Sequence, residues 1–188
     1  ITPQLNLFKD VGASVIVYGE TFNTVQNKIV LPLNKRPKLN QYDINEYGKK
    51  LTKLAEHCAE QSVPLTFHHH MGTAVESEDE INKVMLSTGK DVGLLLDTGH
   101  LYFAEGSYKN ILSKFGDRIN HVHTKDIRLN ILKTINKSKD SFLNCVLKGV
   151  FTVPGDGVID YEDFISRLFD TGYKLSLIHI SEPTRHAS

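Results

Sequence analysis

Nine histidines occur among the 188 residues, and six of them (His68, His69, His70, His100, His121 and His123) fall in one central stretch. Imidazole titrates near neutral pH and is the commonest nitrogen ligand for divalent ions, so the cluster points to proton transfer or metal binding. Asp97 directly follows the apolar run Gly93-Leu94-Leu95-Leu96. A carboxylate there must be paired, metal-bound or catalytic, or must cap the element that follows. His121 and His123 have the i, i+2 spacing that shares one strand face. His123, nearer the strand end, is the better ligand candidate, and His121 the deeper, structural one. Lys125 and Asp126 follow at the same mouth. His68 and His70 share a face, with His69 opposite, if their strand runs that far. Glu76 stands just before a Ser77/Glu80 capping box, where spacing alone reads it as an acid favoured by a helix N-terminus. Mixed nitrogen and oxygen donors suit Mn, Co, Zn or Fe better than Ca. Gly155-Asp156-Gly157 reads as a turn. The sequence carries no phosphate loop, nucleophile elbow or paired CxxC motif.

These residues need strands to bring them together. β-branched and aliphatic runs predict strands at 14–18, 63–67, 92–96, 119–123 and 175–180. Glu20 lies just past the first. Residues 21–42 form a polar loop. A helix capped by Asp43 with Glu46 turns Tyr47, Leu51, Leu54, Ala55 and Cys58 inward. The helix behind Ser77 buries Ile81, Val84 and Met85. A helix over 107–115 buries Ile111, Leu112 and Phe115, with Gly116 as its cap. A last helix over 160–170 presents Phe164, Ile165, Leu168 and Phe169, with Gly172 after it. The segment 126–153 has weak helical character and is long for a connection, which suits a cover over substrate. Strands alternating with helices predict a parallel sheet, open or part of a barrel. Glu20, His68–His70, Asp97, His100 and His123 then share its C-terminal edge, where such folds build active sites.

Composition narrows the partners. Lys plus Arg and Asp plus Glu number 22 each, a formal charge of zero. That argues against nucleic acid or an anionic membrane surface as partner. No apolar run approaches the roughly 20 residues of a membrane span, and the first residues lack a signal peptide's pattern. Cys58 and Cys145 are too few for a disulfide framework, consistent with a reducing, cytoplasmic setting.

Several motifs in order carry a family resemblance: Leu33 to Pro37, His68-His69-His70-Met71-Gly72-Thr73, Leu94 to Leu101 with Asp97-Thr98-Gly99-His100, His121-Val122-His123-Thr124-Lys125-Asp126, and Gly149 to Gly157. Over about Gln4 to Tyr173 the chain resembles the inosose dehydratases, within the xylose-isomerase-like barrels. The resemblance implies a (β/α)8 TIM barrel of which residues 1–174 are the C-terminal part, lacking the N-terminal strands. It implies metal-assisted dehydration of scyllo-inosose, a polyol ketone of myo-inositol catabolism, with Mn or Co as the ion and glutathione as a further cofactor. Its ligand order of Glu, Asp, His and Glu places Asp97 and His123 in the middle. Glu76 takes the first position, with His70 competing. His70, His100, Lys125 and Glu20 are expected around the substrate as acids and bases, and His68 and Asp126 as hydrogen-bonding groups. The fourth ligand, a glutamate ending the last strand, has no counterpart, and Glu182 is poorly spaced to replace it. Residues 175–188 read as a non-native, read-through tail. A sugar isomerase or epimerase of the same superfamily is the alternative activity, and an inactive fragment the second alternative. A homo-oligomer is compatible with all three.

Overall fold

The computed structural model of the chain describes residues 2–174 and 178–179. Its elements are α1 (Thr2–Asp10), β1 (Ile16–Gly19), α2 (Gln41–Glu60), β2 (Leu65–His68), α3 (Glu78–Leu86), β3 (Val92–Asp97), α4 (Thr98–Phe103), α5 (Tyr108–Phe115), β4 (Ile119–Thr124), β5 (Asp126–Ile127), α6 (Leu129–Leu132), α7 (Phe142–Leu147), β6 (Phe151–Thr152), α8 (Tyr161–Asp170) and β7 (Ile178–His179). Strands β1-β2-β3-β4-β7 form one sheet in that order, every pairing parallel. Consecutive parallel strands with helices between them are the wall of a (β/α) barrel. Of the predicted fifth strand, Ile178–His179 is strand, while 175–177 and 180 lie outside the described residues.

One face of the sheet is buried by helices. Leu65, Phe67, Val92, Leu94, Leu96, Ile119 and Val122 join Leu51, Ala55, Ile81, Met85, Ile111 and Phe164 in one apolar cluster. Each fully buried side chain of this kind stabilises the fold by roughly 1.5–3 kcal/mol. Strand alternation sends His68 and Asp97 to the opposite, inner face.

Strict alternation would place Ile119 with His121 and His123. The register instead jumps from Leu94↔Ile119 to Leu95↔His121, leaving Asn120 as an extra residue in β4. This bulge turns Ile119 to the helices while the two histidines stay inside. Asn120 settles over Gly93, where a Cβ would sit 2.0 Å from its Nδ2, and that amide donates to Leu65 O at 3.2 Å.

Helix caps follow the sequence with one exception, in α2. Ser77 and Glu80 make the expected capping box. In α2 the cap is Asn40 rather than Asp43, because Asp43 is the residue that returns the bond to the Asn40 N–H. Gly116 ends α5 with φ −54, so no left-handed turn demands glycine there. Close packing does, since a Cβ would lie 2.5 Å from Thr171 Cγ2. Phe169 is exposed, because α8 buries only Phe164 and Leu168 against the sheet. The segment 126–153 is folded, with β5 and β6 paired antiparallel and Phe142, Cys145, Val150 and Phe151 in a second apolar cluster. Among the described residues no helix is long and apolar enough to cross a membrane.

Candidate metal centre

Asp97 ends β3 at the centre of the inner face and is fully buried. Its Oδ1 accepts from His100 N at 3.0 Å, capping α4. Its Oδ2 is held by Lys125 Nζ, with His123 Nδ1 at 3.5 Å and His100 Nε2 at 4.0 Å. The cap and ligand readings of this residue are therefore compatible, one oxygen serving each. Burial opposes the charge, but His100, Lys125, His123 and His68 outweigh it and hold the carboxyl well below its ordinary range.

The histidines gather around this oxygen. His68, the last residue of β2, lies 5.0 Å from the His123 ring, 5.5 Å from His70 and 5.8 Å from His100, between ring centres. His70 and His100 are 3.7 Å apart. His121 sits 5.3 Å from His123, one layer deeper, as its spacing suggested. His69 faces away, and its Nε2 accepts from Asp97 N at 3.3 Å. His68, Asp97 and His100 each offer a ligand atom, all within 4.8 Å of one another. The nitrogens His68 Nδ1, His100 Nε2 and His123 Nδ1 are buried and have no hydrogen-bond partner among the described residues. Buried polar atoms are normally satisfied, so three orphaned imidazole nitrogens around one carboxylate are a donor set suited to a transition-metal ion.

Three expected residues are placed otherwise. Glu76 is turned away: its Oε1 pairs with Arg36 Nε at 2.8 Å and its Oε2 accepts from Gly72 N at 2.8 Å. The group of mutually close ligand atoms contains His68 in its place. Burial raises the Glu76 carboxyl, against the pull of Arg36. Glu20 follows Ile16 and Tyr18, which pack on the helix side. Its carboxylate accepts from Tyr18 Oη and from the N–H groups of Thr21 and Phe22, away from the histidines. Asp126 is fully buried, and both its oxygens are filled by backbone: Oδ1 by Ile127 N and Ile159 N, Oδ2 by Gly155 N and Gly157 N. It pins the Gly155-Asp156-Gly157 turn and has no oxygen left for a substrate hydroxyl. His70, His100 and Lys125 gather at Asp97.

Two aromatic residues were missed. Phe142 lies 5.0 Å from the His70 ring and 5.6 Å from His100, and Phe151 lies 5.3 Å from His100. They come from the segment 126–153, whose weak periodicity gave no sign of where it packs. Cys58 and Cys145 are buried away from the cluster, and burial pushes the Cys145 thiol up to about 11. Neither is a nucleophile at neutral pH.

Burial lowers the pKa of His69 to about 4, and lowers His68, His70 and His100 as well. Free imidazole titrates near 6.5. Between those values the unfolded chain holds more protons than the folded one, so stability is lost as pH falls from about 6.5 toward 4. His69 alone should cost about 2 kcal/mol by pH 5. Urea midpoints of metal-free protein at pH 7 and pH 5 check this, and equal midpoints would refute it.

A sequence model described as xylose isomerase-like TIM barrel matches residues 4–185. The rhizopine catabolism protein MocC of Rhizobium meliloti is 44% identical over 174 residues, covering 93% of this chain and 54% of that protein. An inosose dehydratase of Geobacillus thermodenitrificans is 40% identical over 167 residues, covering 88% and 56%. The chain thus spans about half the length of the curated relatives it matches. A crystal structure of the IOLI protein with a bound zinc atom superposes with a TM-score of 0.64 at 18% identity, covering 94% of this chain and 56% of that one.

Proposed function

The chain belongs to the xylose isomerase-like TIM barrel family, and from that premise we propose that it carries the metal-binding half of an inosose dehydratase. The observation that supports this most is the meeting of His68, Asp97 and His100, with His123 beside them, on a chain 40% identical to an inosose dehydratase. Those four side chains would hold a divalent ion. Such an ion supplies a Lewis acid that polarises a ketone carbonyl. The substrate class is a cyclic polyol ketone; inosose is the one in the relatives' names, and scyllo-inosose the one the family resemblance implies. Manganese or cobalt as the ion and glutathione as a further cofactor rest on the family resemblance. A cytoplasmic setting rests on the two free cysteines.

Eliminating water next to a ketone needs a base for the α-proton and an acid for the departing hydroxyl. His70 Nδ1 bonds the Met71 carbonyl at 2.8 Å, so Nδ1 carries the proton and Nε2 the free lone pair. Burial lowers its pKa, keeping the ring neutral at pH 7. His70 is therefore the base, worth roughly 10²–10⁴-fold. Lys125 Nζ, held on Asp97, is a buried ammonium that can give a proton to the leaving oxygen. Phe142 and Phe151 close one side of these rings and keep water from them.

Incubating the protein with scyllo-inosose and Mn, Co or Zn, with and without glutathione, should yield a product lighter by one water. A product of unchanged mass would favour the isomerase or epimerase reading. No product with any metal would count against both.

A further inference from the structure

The geometry points to Arg36 as a positioning residue for the histidine cluster, acting through Glu76 and Gly72; this rests on the metal reading above. Arg36 belongs to the loop between β1 and α2, distant in sequence from every histidine, yet its guanidinium is buried and every nitrogen is used. Nε pairs with Glu76 Oε1 at 2.8 Å and Nη2 with Glu80 Oε1 at 2.7 Å. Nη1 donates to the carbonyls of Pro37 at 3.3 Å, Thr73 at 3.1 Å and Ala74 at 3.5 Å. The second oxygen of Glu76 takes the N–H of Gly72. Gly72 has φ +80, and a Cβ there would press on the Gln26 backbone at 3.0 Å. Thr73 Oγ1 donates to His70 O at 2.8 Å, and His70 N donates to Val75 O at 3.1 Å.

The consequence is mechanical. Residues 68–76 leave β2 carrying His68 and His70, then reverse through a left-handed glycine. A reversal of that kind is held by whatever fills its backbone groups. Here the filling group is Glu76, and Arg36 fixes Glu76 from the far side while gripping the carbonyls of Thr73 and Ala74. A planar guanidinium whose nitrogens point to separate partners sets direction as well as distance, which an ammonium does not. Arg36 thereby sets where the His68 and His70 rings stand relative to Asp97. Glu80 shares the guanidinium but turns its other oxygen to Glu76 N and Ser77 N, the cap of α3. It is therefore a control for stability without ring placement.

Cobalt(II) titration of the protein, followed by its visible absorption, tests this beside thermal melting and amide hydrogen exchange. Arg36→Gln should weaken cobalt binding roughly 10–100-fold, the range for residues that orient ligands. Glu76→Gln should do the same, and the double variant should add nothing further. Arg36→Lys should fall between. Glu80→Gln should lower the melting temperature with cobalt affinity within about threefold of the parent. Cobalt binding by Arg36→Gln equal to or tighter than the parent's would overturn the proposal, since freeing Glu76 helps only if Glu76 is itself a ligand. So would Glu80→Gln losing affinity as much as Arg36→Gln. If the parent binds no cobalt, the metal reading fails instead. Exchange of the Gly72 and His70 amides in metal-free protein then decides: faster in Glu76→Gln than in Glu80→Gln supports positioning, and equal rates refute it.

Discussion

Asp97→Asn should remove cobalt or manganese binding at micromolar metal and lower any turnover under the proposed function by about 10³-fold or more, while the protein stays folded. The side chain keeps its volume, and its carbonyl oxygen can still accept from His100 N, so the α4 cap survives. What is lost is the negative charge facing Lys125, His123 and His100. A Lewis acid is worth several kcal/mol to a developing enolate, and each 1.36 kcal/mol is tenfold in rate. Both Asp97→Asn and Asp97→Ala should lose stability, by about 3–5 kcal/mol, because each leaves the buried Lys125 Nζ without its counter-charge, and Asp97→Ala should lose the α4 cap as well. Metal analysis and product formation are the measurements. An Asp97→Asn protein with full metal content and turnover would end the assignment of this centre.

The second large effect concerns stability. Asp126→Ala should lower the melting temperature by roughly 10 °C with the KM of any remaining activity little changed. Four backbone N–H groups lose their acceptor. Leaving a buried donor unsatisfied costs about 1–3 kcal/mol, and water entering the gap recovers part of it. A net loss near 4 kcal/mol corresponds to that shift in a chain of this size. Gly157 has no room for a side chain beside this carboxylate, since a Cβ would lie 2.3 Å from Asp126 Oδ1. A raised KM with an unchanged melting temperature would instead restore Asp126 to the substrate.

Local signals read well in this chain. Apolar runs such as Val92 to Leu96 mark strands because a sheet covered on both sides needs little else. Ser77 with Glu80 marks a helix start because both partners of the bond lie within four residues. His68, Asp97 and His123 could be placed at one edge because parallel strands bring their ends together whatever lies between. Partnerships across the chain could not be read. Glu76 takes its ligand role from the resemblance alone, and nothing in its neighbourhood shows Arg36. Asp126 lies three residues after His123, and only the fold shows that residues 155–159 come back to fill it. The shared face of His121 and His123 follows from their i, i+2 spacing, which the bulge at Asn120 leaves intact; it is Ile119 that the bulge turns the other way. The faces of Ile119 and the histidines differ for a reason that hydropathy does not carry.

That bulge gives β4 one residue more than its neighbour can pair. Ile119 meets Leu94 and His121 meets Leu95, so Asn120 is surplus to the ladder. Position 120 is therefore the place in this strand where a codon could be gained or lost without exchanging inside for outside farther along. Between His121 and His123 a single-residue insertion would carry His123 to the helix side and bring Val122 to the carboxylate, and loss of Val122 would bring Thr124 there instead. The centre is buffered against length changes on one side of His121 and exposed to them on the other.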